Sequence, residues 1–476
     1  MSHARKIAKN ILCLIIAQII TLISSVILAS LLARTLLPES YGKYTFAFSL
    51  TAIFAIFIDL GLNTLIIRDI SRQKKVLGRY INNILTMQIV SSVLMSIGLF
   101  VCINLLNYPK DTTYAVYIIG LAVVITSFSS IVGSIFRAFE QMQYESIIET
   151  TKNLAFLALS AIFLLNGYGL ITVCFIFLFT TILQFLFYWR VYIKKFSKPR
   201  LEFNFDFWKY LIKTGFSFAI TGIFVVIYGR ISTIMLSLML GDSAVGLYNA
   251  PYNLIVALSF IPGAFLASIF PVLSAYFVSS KETLKKAYYL SFKYLLTISV
   301  PLVIGIFILS EKIILLIFGQ EYLQSTIVLK ILIWIQLFAF ISWLMGIILN
   351  SAEKQKLFAY ATGSGVIVNI VLNFFLIPQF GIKGAAFATL ITQITVFSVL
   401  LYFIYTGVYK VKLWKILIKP AISAIIMAGF ILLFYKISLI VIIPASIIIY
   451  FLALYLIKGF SEEDKEVISS ILKNEK

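Results

Sequence analysis

The segment YAVYIIGLAVVITSFSSIVGSIFRAF, residues 114–139, carries a single charge, Arg137, in 26 positions. As a helix it is long enough to cross the ~30 Å hydrocarbon core of a bilayer, which takes about 20 residues. Its apolar residues do not alternate with a period of two, so a barrel strand is a poor description. A segment in hydrocarbon must satisfy its own backbone N–H and C=O groups, and a helix does so. Runs of the same kind recur on both sides of it, at 10–33, 41–67, 80–106, 146–166, 169–193, 209–240, 245–278, 284–308, 325–350, 357–377, 383–406, 414–435 and 438–458. With 114–139 they predict an all-α integral membrane protein of about fourteen transmembrane helices. Pro38-Glu39, Tyr108-Pro109, Asn166-Gly167-Tyr168-Gly169, Gly241-Asp242 and Pro378-Gln379-Phe380-Gly381 punctuate the runs.

The whole composition agrees with that reading. Of 476 residues, 61% are apolar and 12% charged, against about 25% charged in soluble domains. A water-soluble globular enzyme is excluded. Cys13, Cys102 and Cys174 all lie inside apolar runs, and His3 is the one histidine. No disulfide framework, metal site or cofactor is therefore expected. A Walker-type phosphate loop is absent, and no segment between runs is long enough for a catalytic domain. The chain reads as a non-enzyme. The first run follows Arg5, Lys6 and Lys9, as a signal peptide would, but it is long for a signal core and has a counterpart in an internal repeat. It reads as a retained helix.

The 39 Lys+Arg against 19 Asp+Glu give a net charge of +20. In a membrane chain this excess points to cytoplasmic loops facing anionic lipid, not to nucleic acid. Placing the N-terminus in the cytoplasm puts 31 of the 39 basic residues on that side. Every second loop is then basic and every other loop nearly bare. Both termini are expected to be cytoplasmic.

The chain also repeats. Ser40-Tyr41-Gly42-Lys43-Tyr44 corresponds to Ala244-Val245-Gly246-Leu247-Tyr248. Phe136-Arg137-Ala138-Phe139-Glu140-Gln141 corresponds to Leu349-Asn350-Ser351-Ala352-Glu353-Lys354, and Asn166-Gly167-Tyr168-Gly169 to Pro378-Gln379-Phe380-Gly381. The offsets are 204, 213 and 212 residues. Six helices per copy give both copies the same orientation, a parallel repeat with a substrate cavity expected between two lobes. The predicted organisation is an N-terminal six-helix lobe (1–193), a basic cytoplasmic linker (194–208) and a C-terminal six-helix lobe (209–406). Two extra helices (407–460) and a cytoplasmic tail (461–476) follow.

Charges inside such runs are costly and so informative. Arg230 lies about ten residues from the outer end of its run, ~15 Å at the helical rise, where a guanidinium costs about 2.5–3.5 kcal/mol to insert. Either it lines a wet cavity and attracts an anion, or it pairs with Asp59 or helix-end carbonyls. Arg34 and Lys43 flank the first interhelical turn, either lining the cavity or snorkelling to headgroups. Arg68 and Arg137 end their runs on the cytoplasmic side, where anchoring competes with a place in a vestibule. Asp59 is a candidate coupling acid or a structural partner for an arginine. Of Gln18, Asn63, Gln88, Gln184, Asn253, Gln336, Asn369, Asn373 and Gln393, most are expected to hydrogen-bond between helices and a minority to touch hydroxyl-rich cargo, without the sequence telling which. Pro251, Pro262, Pro271 and Pro301 are expected to bend their runs.

The run Leu31-Leu32-Ala33-Arg34-Thr35-Leu36-Leu37-Pro38-Glu39-Ser40-Tyr41-Gly42-Lys43-Tyr44 resembles polysaccharide flippases. These are the Wzx-type oligosaccharide translocases of the MATE/MOP exporter superfamily. Phe57-Ile58-Asp59-Leu60-Gly61-Leu62, Ile67-Arg68-Asp69-Ile70 and Gly381-Ile382-Lys383-Gly384-Ala385-Ala386 are similar to further motifs of that family. The resemblance implies two MATE-like lobes around a cationic cavity and transport by alternating access. The implied cargo is a polyprenyl-(pyro)phosphate-linked oligosaccharide crossing the plasma membrane, for surface polysaccharide or glycan assembly. Arg34, Arg68 and Arg230 match positions of cavity cations, and Arg137 is a candidate at a cytoplasmic vestibule. Partners so implied are the lipid-linked oligosaccharide, membrane lipids, H+ or Na+ as a coupling ion, and other glycan assembly proteins. The rival is an ion-coupled multidrug exporter of the same superfamily, for which Arg230 has the wrong sign. A membrane glycan polymerase or ligase would need a large charged outer loop that this chain lacks.

Overall fold

In the computed structural model the first two runs form two helices that meet at a kink with no loop between them. A single element, α1 (His3–Asp59), contains both, broken at Leu37 where φ is 61° and ψ is 170°. Pro38 follows at the first turn of the second arm, where its missing N–H removes no helix hydrogen bond. The other elements are α2 (Leu62–Arg72), α3 (Leu77–Leu105), α4 (Lys110–Ala138), α5 (Met142–Leu165), α6 (Leu170–Lys195), α7 (Phe205–Leu240) and α8 (Asp242–Leu258). Beyond these lie α9 (Lys281–Ile317), α10 (Ser325–Leu332), α11 (Trp334–Ser351), α12 (Gln355–Phe380), α13 (Ile382–Gly407), α14 (Leu413–Leu433) and α15 (Leu439–Leu456). The structure describes residues 3–196, 198–266, 269, 273, 281–352, 354–407 and 413–459. The tail 461–476, Pro271 and Glu353 lie outside them.

Thirteen segments of the described residues are long and apolar enough to span a membrane. The first, Gln18–Arg72, is 55 residues long, ~80 Å of helix at 1.5 Å per residue. That is more than two crossings of a ~30 Å core, and the break at Leu37 divides it. Fourteen crossings follow, as the apolar runs predict. Among the described residues there is no strand.

The helices group into two compact units. The first comprises Met1–Ala257 with Gly365–Ala385. A core in it joins α2, α3, α4, α6 and the start of α7 through Leu65, Ile66, Ile84, Val132, Phe136, Tyr192 and Leu211. The second comprises Leu258–Ser364 with Ala386–Lys476. Within it α14 and α15 dock on α9: Val300, Met427, Ile431 and Ile442 share a core, and the Tyr450 hydroxyl donates to the Thr297 carbonyl at 2.8 Å. Lys312 Nζ donates to the carbonyls of Tyr435 and, at 2.9 Å, Ile437, closing the turn between the two helices.

Two glycine contacts in the first unit fix how α1 meets α7 and α8. A Cβ on Gly42 would lie 1.8 Å from the Asp242 carbonyl oxygen, and one on Gly246 would lie 1.9 Å from the Pro38 carbonyl oxygen. Pro38 and Asp242, like Gly42 and Gly246, are 204 residues apart, the offset of the sequence repeat. The crossing is thus reciprocal, each glycine admitting the backbone of the other copy. At the opposite end of α1, Gly61 (φ 80°) lies against Gly215, where a Cβ would meet the Gly215 carbonyl at 2.2 Å.

Candidate functional site

The polar residues buried in the runs mostly find one another. Asn63 Nδ2 donates to Ser130 Oγ at 3.1 Å, and Ser134 Oγ donates to Asn63 Oδ1 at 3.0 Å, tying α2 to α4. Asn373 Nδ2 donates to Ser232 Oγ at 3.0 Å, tying α12 to α7. Asn253 reaches the Tyr41 hydroxyl at 3.0 Å, and Gln393 reaches Ser342 Oγ at 3.2 Å. In a medium with no competing water, each of these bonds holds a helix pair in register.

Arg34, Arg68 and Arg230 sit on α1, α2 and α7. Helix α7 packs along both α1 and α2, so one cluster of helices carries all three. Arg34 is exposed, three residues before the break at Leu37. Arg230 is half-buried near the middle of the span Phe218–Leu240. Its charge is felt at the half-buried Tyr252 hydroxyl, which itself donates to the Gly229 carbonyl at 3.0 Å. Among the described residues no carboxylate lies within ion-pair distance of Arg230, Asp59 included. Arg68 has a partner: its Nε donates to Asp69 Oδ1 at 2.6 Å and its Nη2 to Oδ2 at 3.1 Å. Asp69 also accepts from the Tyr80 hydroxyl at 2.7 Å, and the Phe218 ring lies under the Arg68 guanidinium at 5.0 Å.

Asp59 closes a helix break. Its Oδ1 accepts from Asn63 N at 3.3 Å and Asn63 Nδ2 at 2.6 Å, across Leu60 (φ 40°) and Gly61 (φ 80°). Such a bond satisfies a first-turn N–H of α2. Arg137 grips Glu145 through Nε and Nη2, with Nε at 2.8 Å from Oε2. Glu145 is buried and Arg137 half-exposed. Lys43, beside the Gly42 crossing, is buried and bridges Asp111 at 2.7 Å and Glu39 at 2.8 Å, so it does not snorkel. At the same end, the Tyr108 hydroxyl donates to Ser237 Oγ at 2.8 Å and Ser237 to Asp242 Oδ1 at 3.0 Å. Burial raises the Tyr108 phenol above its ordinary value, which keeps it a donor.

The model of the polysaccharide biosynthesis protein family matches residues 7–277, more than half of the chain. The chain belongs to this family. Arg34, Asp59, Arg68, Arg137 and Arg230 all fall within the matched stretch, and the MatE model matches residues 218–375, so Arg230 lies in both. Proteins similar to the chain include the capsular polysaccharide biosynthesis protein CapF of Staphylococcus aureus, 24% identical, with 83% of this chain and 98% of that one covered. The probable low-salt glycan biosynthesis flippase Agl15 of Haloferax volcanii is also 24% identical, with 75% of each chain covered. A putative O-antigen transporter of Shigella flexneri is 23% identical, with 80% and 93% covered. The fold is shared with the lipid II flippase MurJ in an inward closed conformation: TM-score 0.77, 18% identity, 93% of this chain and 98% of that one. An inward-facing multidrug resistance MATE transporter of the MOP superfamily superposes with a TM-score of 0.66, 13% identity and coverage of 82% and 97%. This membrane chain is therefore a family member with the MATE-like transporter fold.

Sequence reasoning passed over the acidic residues of α5, Glu145 and Glu149. Glu145, Glu149 and Tyr188 face a polar cavity among α2, α4, α5 and α6. The available signal was the pair Glu145 and Glu149, one helical turn apart, close to Arg137 in the chain.

Proposed function

We propose that the chain is a flippase that moves a polyprenyl-(pyro)phosphate-linked oligosaccharide across the plasma membrane for surface glycan assembly. In this reading two six-helix lobes, residues 1–193 and 209–406, alternate access about a central cavity. The linker 194–208 joins them, residues 407–460 add two helices, and both termini and the tail 461–476 are cytoplasmic. Arg34, Arg68 and Arg230 receive the anionic phosphate of the cargo, Arg137 borders the cytoplasmic vestibule, and an H+ or Na+ gradient supplies the drive. Asp59, hydrogen-bonded to Asn63, is structural.

The observation that carries the reading is Arg230, a guanidinium at mid-span with no carboxylate in ion-pair range among the described residues. An intramembrane cation of this kind is stable where it meets water or an anion. The phosphates and hydroxyls of a lipid-linked sugar lose hydration in hydrocarbon, and a cationic wet groove replaces it while the polyprenyl chain stays in lipid. The same sign disfavours organic cations as cargo. The relatives named for glycan flipping and O-antigen transport support the same substrate class.

The test is Arg230→Ala in a host whose surface glycan depends on this protein. Glycan export falls at least tenfold while the protein inserts at its normal level, and Arg230→Lys recovers part of the flux. Full export by Arg230→Ala overturns the role of Arg230.

A further inference from the structure

Among the polar side chains that the runs bury, Gln184 shares with the buried Gln88 the lack of a hydrogen bond among the described residues, and Gln184 faces a cavity. It is 8% exposed, yet no hydrogen bond to its amide is found among the described residues, whereas Asn63, Asn253, Asn373 and Gln393 all have partners. A buried primary amide without partners costs free energy that a ligand or water must offset. Gln184 borders a partly open cavity of ≈ 220 Å³ among α2, α4, α5 and α6.

The other groups around this cavity say what it takes. Arg137 and Glu145 neutralise each other through their forked contact. Glu149, one turn further along α5, has no cation in ion-pair range among the described residues. Lys152 on the same helix is turned to aromatic faces instead, 4.4 Å from the Phe177 ring centre and 5.7 Å from that of Phe156. The Tyr188 hydroxyl from α6 approaches Glu149. A surplus carboxylate makes the cavity wrong for phosphate. Its volume, several times the ~30 Å³ share of one water, is loose for a dehydrated ion. It is also below the ~300–1,000 Å³ of pockets for drug-sized ligands. A carboxylate, an amide and a phenol around a space of that size match the vicinal hydroxyls and ring face of one sugar.

We propose that this cavity is a sugar subsite, in which Glu149 and Gln184 hydrogen-bond the hydroxyls of one neutral sugar ring of the lipid-linked cargo. The inference rests on the flippase reading above and divides the cargo by charge: phosphate to the arginines of α1, α2 and α7, sugar to α5 and α6.

The test measures binding of undecaprenyl pyrophosphate, bare or carrying one glucose, galactose or N-acetylglucosamine residue, to the full-length protein in nanodiscs by calorimetry. The wild type binds at least one glycosylated lipid about tenfold more tightly than the bare lipid. Glu149→Ala and Gln184→Ala abolish that preference and leave bare-lipid affinity unchanged, which also certifies their fold. Arg230→Ala weakens bare and glycosylated lipids alike. If the wild type shows no sugar preference, or either alanine variant retains it, the subsite is refuted while the flippase reading stands. If no lipid binds at all, the flippase reading falls and takes the subsite with it.

Discussion

Leu37 has a backbone conformation that non-glycine residues seldom adopt, with φ at 61° and ψ at 170°, and such strain costs on the order of 1–3 kcal/mol. Its side chain is 51% exposed, so little packing offsets that cost. Leu37→Gly is therefore expected to raise the thermal unfolding midpoint of the detergent-purified protein, with a gain of about 1 kcal/mol or less because glycine also loosens the unfolded chain; a lower midpoint would mean that the leucine side chain holds the turn. Arg137 presents the opposite balance. Removing it strands the buried Glu145 carboxylate, and breaking a buried pair costs roughly 3–5 kcal/mol, here toward the lower end because Arg137 is half-exposed. Arg137→Ala should destabilise strongly, and Arg137→Leu with Glu145→Leu should recover most of the loss. If the double variant is stable yet fails to export glycan, Arg137 has a role beyond holding Glu145. The sequence placed Arg137 at a helix end but could not show its partner, because an ion pair eight residues apart across a turn depends on how α4 meets α5.

At the scale of helices, the Gly42–Gly246 crossing is the contact with least tolerance. An added Cβ meets backbone oxygen, not a movable side chain, on both faces. Gly42→Val or Gly246→Val must therefore push the start of α8 away from the start of the second arm of α1. In purified protein, a cysteine replacing the half-buried Ala244 should react with a bulky maleimide several times faster in the Gly42→Val background than without it. An unchanged rate would show that the crossing adapts in some other way. The YG motif that carries the family resemblance is explained by this crossing, and the repeat offset of 204 foretold which residues would be equivalent. That equivalent residues would also touch was not legible, since a repeat fixes correspondence and not proximity. The D-x-G motif is similar: Asp59 and Gly61 mark a helix break closed by Asn63, which hydropathy alone reads as uninterrupted span. Glu149 stayed hidden for a related reason, and Gln184, named among the polar residues of the runs, could not be told from those with partners, as periodicity reports which residues are apolar and not which polar ones lack a partner.

For the molecule as a whole, contacts between turns decide which turns share a membrane face, independently of any charge rule. Asn82 and Asn83, at the start of α3, bind Glu202 and the backbone N–H groups of Arg200 and Asn204. Lys195 reaches Gln141 at 2.9 Å. The turns near residues 73–79, 139–142 and 196–204 thus lie on one face. Lys43 with Asp111, and Thr112 with Asp242 at 3.5 Å, gather the turns near residues 38, 109 and 241 on the other. The first set is rich in Lys and Arg, with Arg72, Lys74, Lys75, Arg79, Lys194, Lys195, Lys198 and Arg200, so under the orientation proposed above, which rests on the positive-inside rule, it is expected to face the cytoplasm. With Cys13, Cys102 and Cys174 replaced by alanine, a cysteine at Lys74 or at the exposed Leu201 should resist an impermeant maleimide in intact cells and react after permeabilisation. A cysteine at the exposed Tyr168, in a turn with few charges, should react in intact cells. Labelling at Lys74 and Leu201 together, without Tyr168, would invert the orientation and leave the helix packing intact. Labelling at only one of Lys74 and Leu201 would contradict the Asn82 and Asn83 contacts themselves, because those hydrogen bonds require both segments on one side.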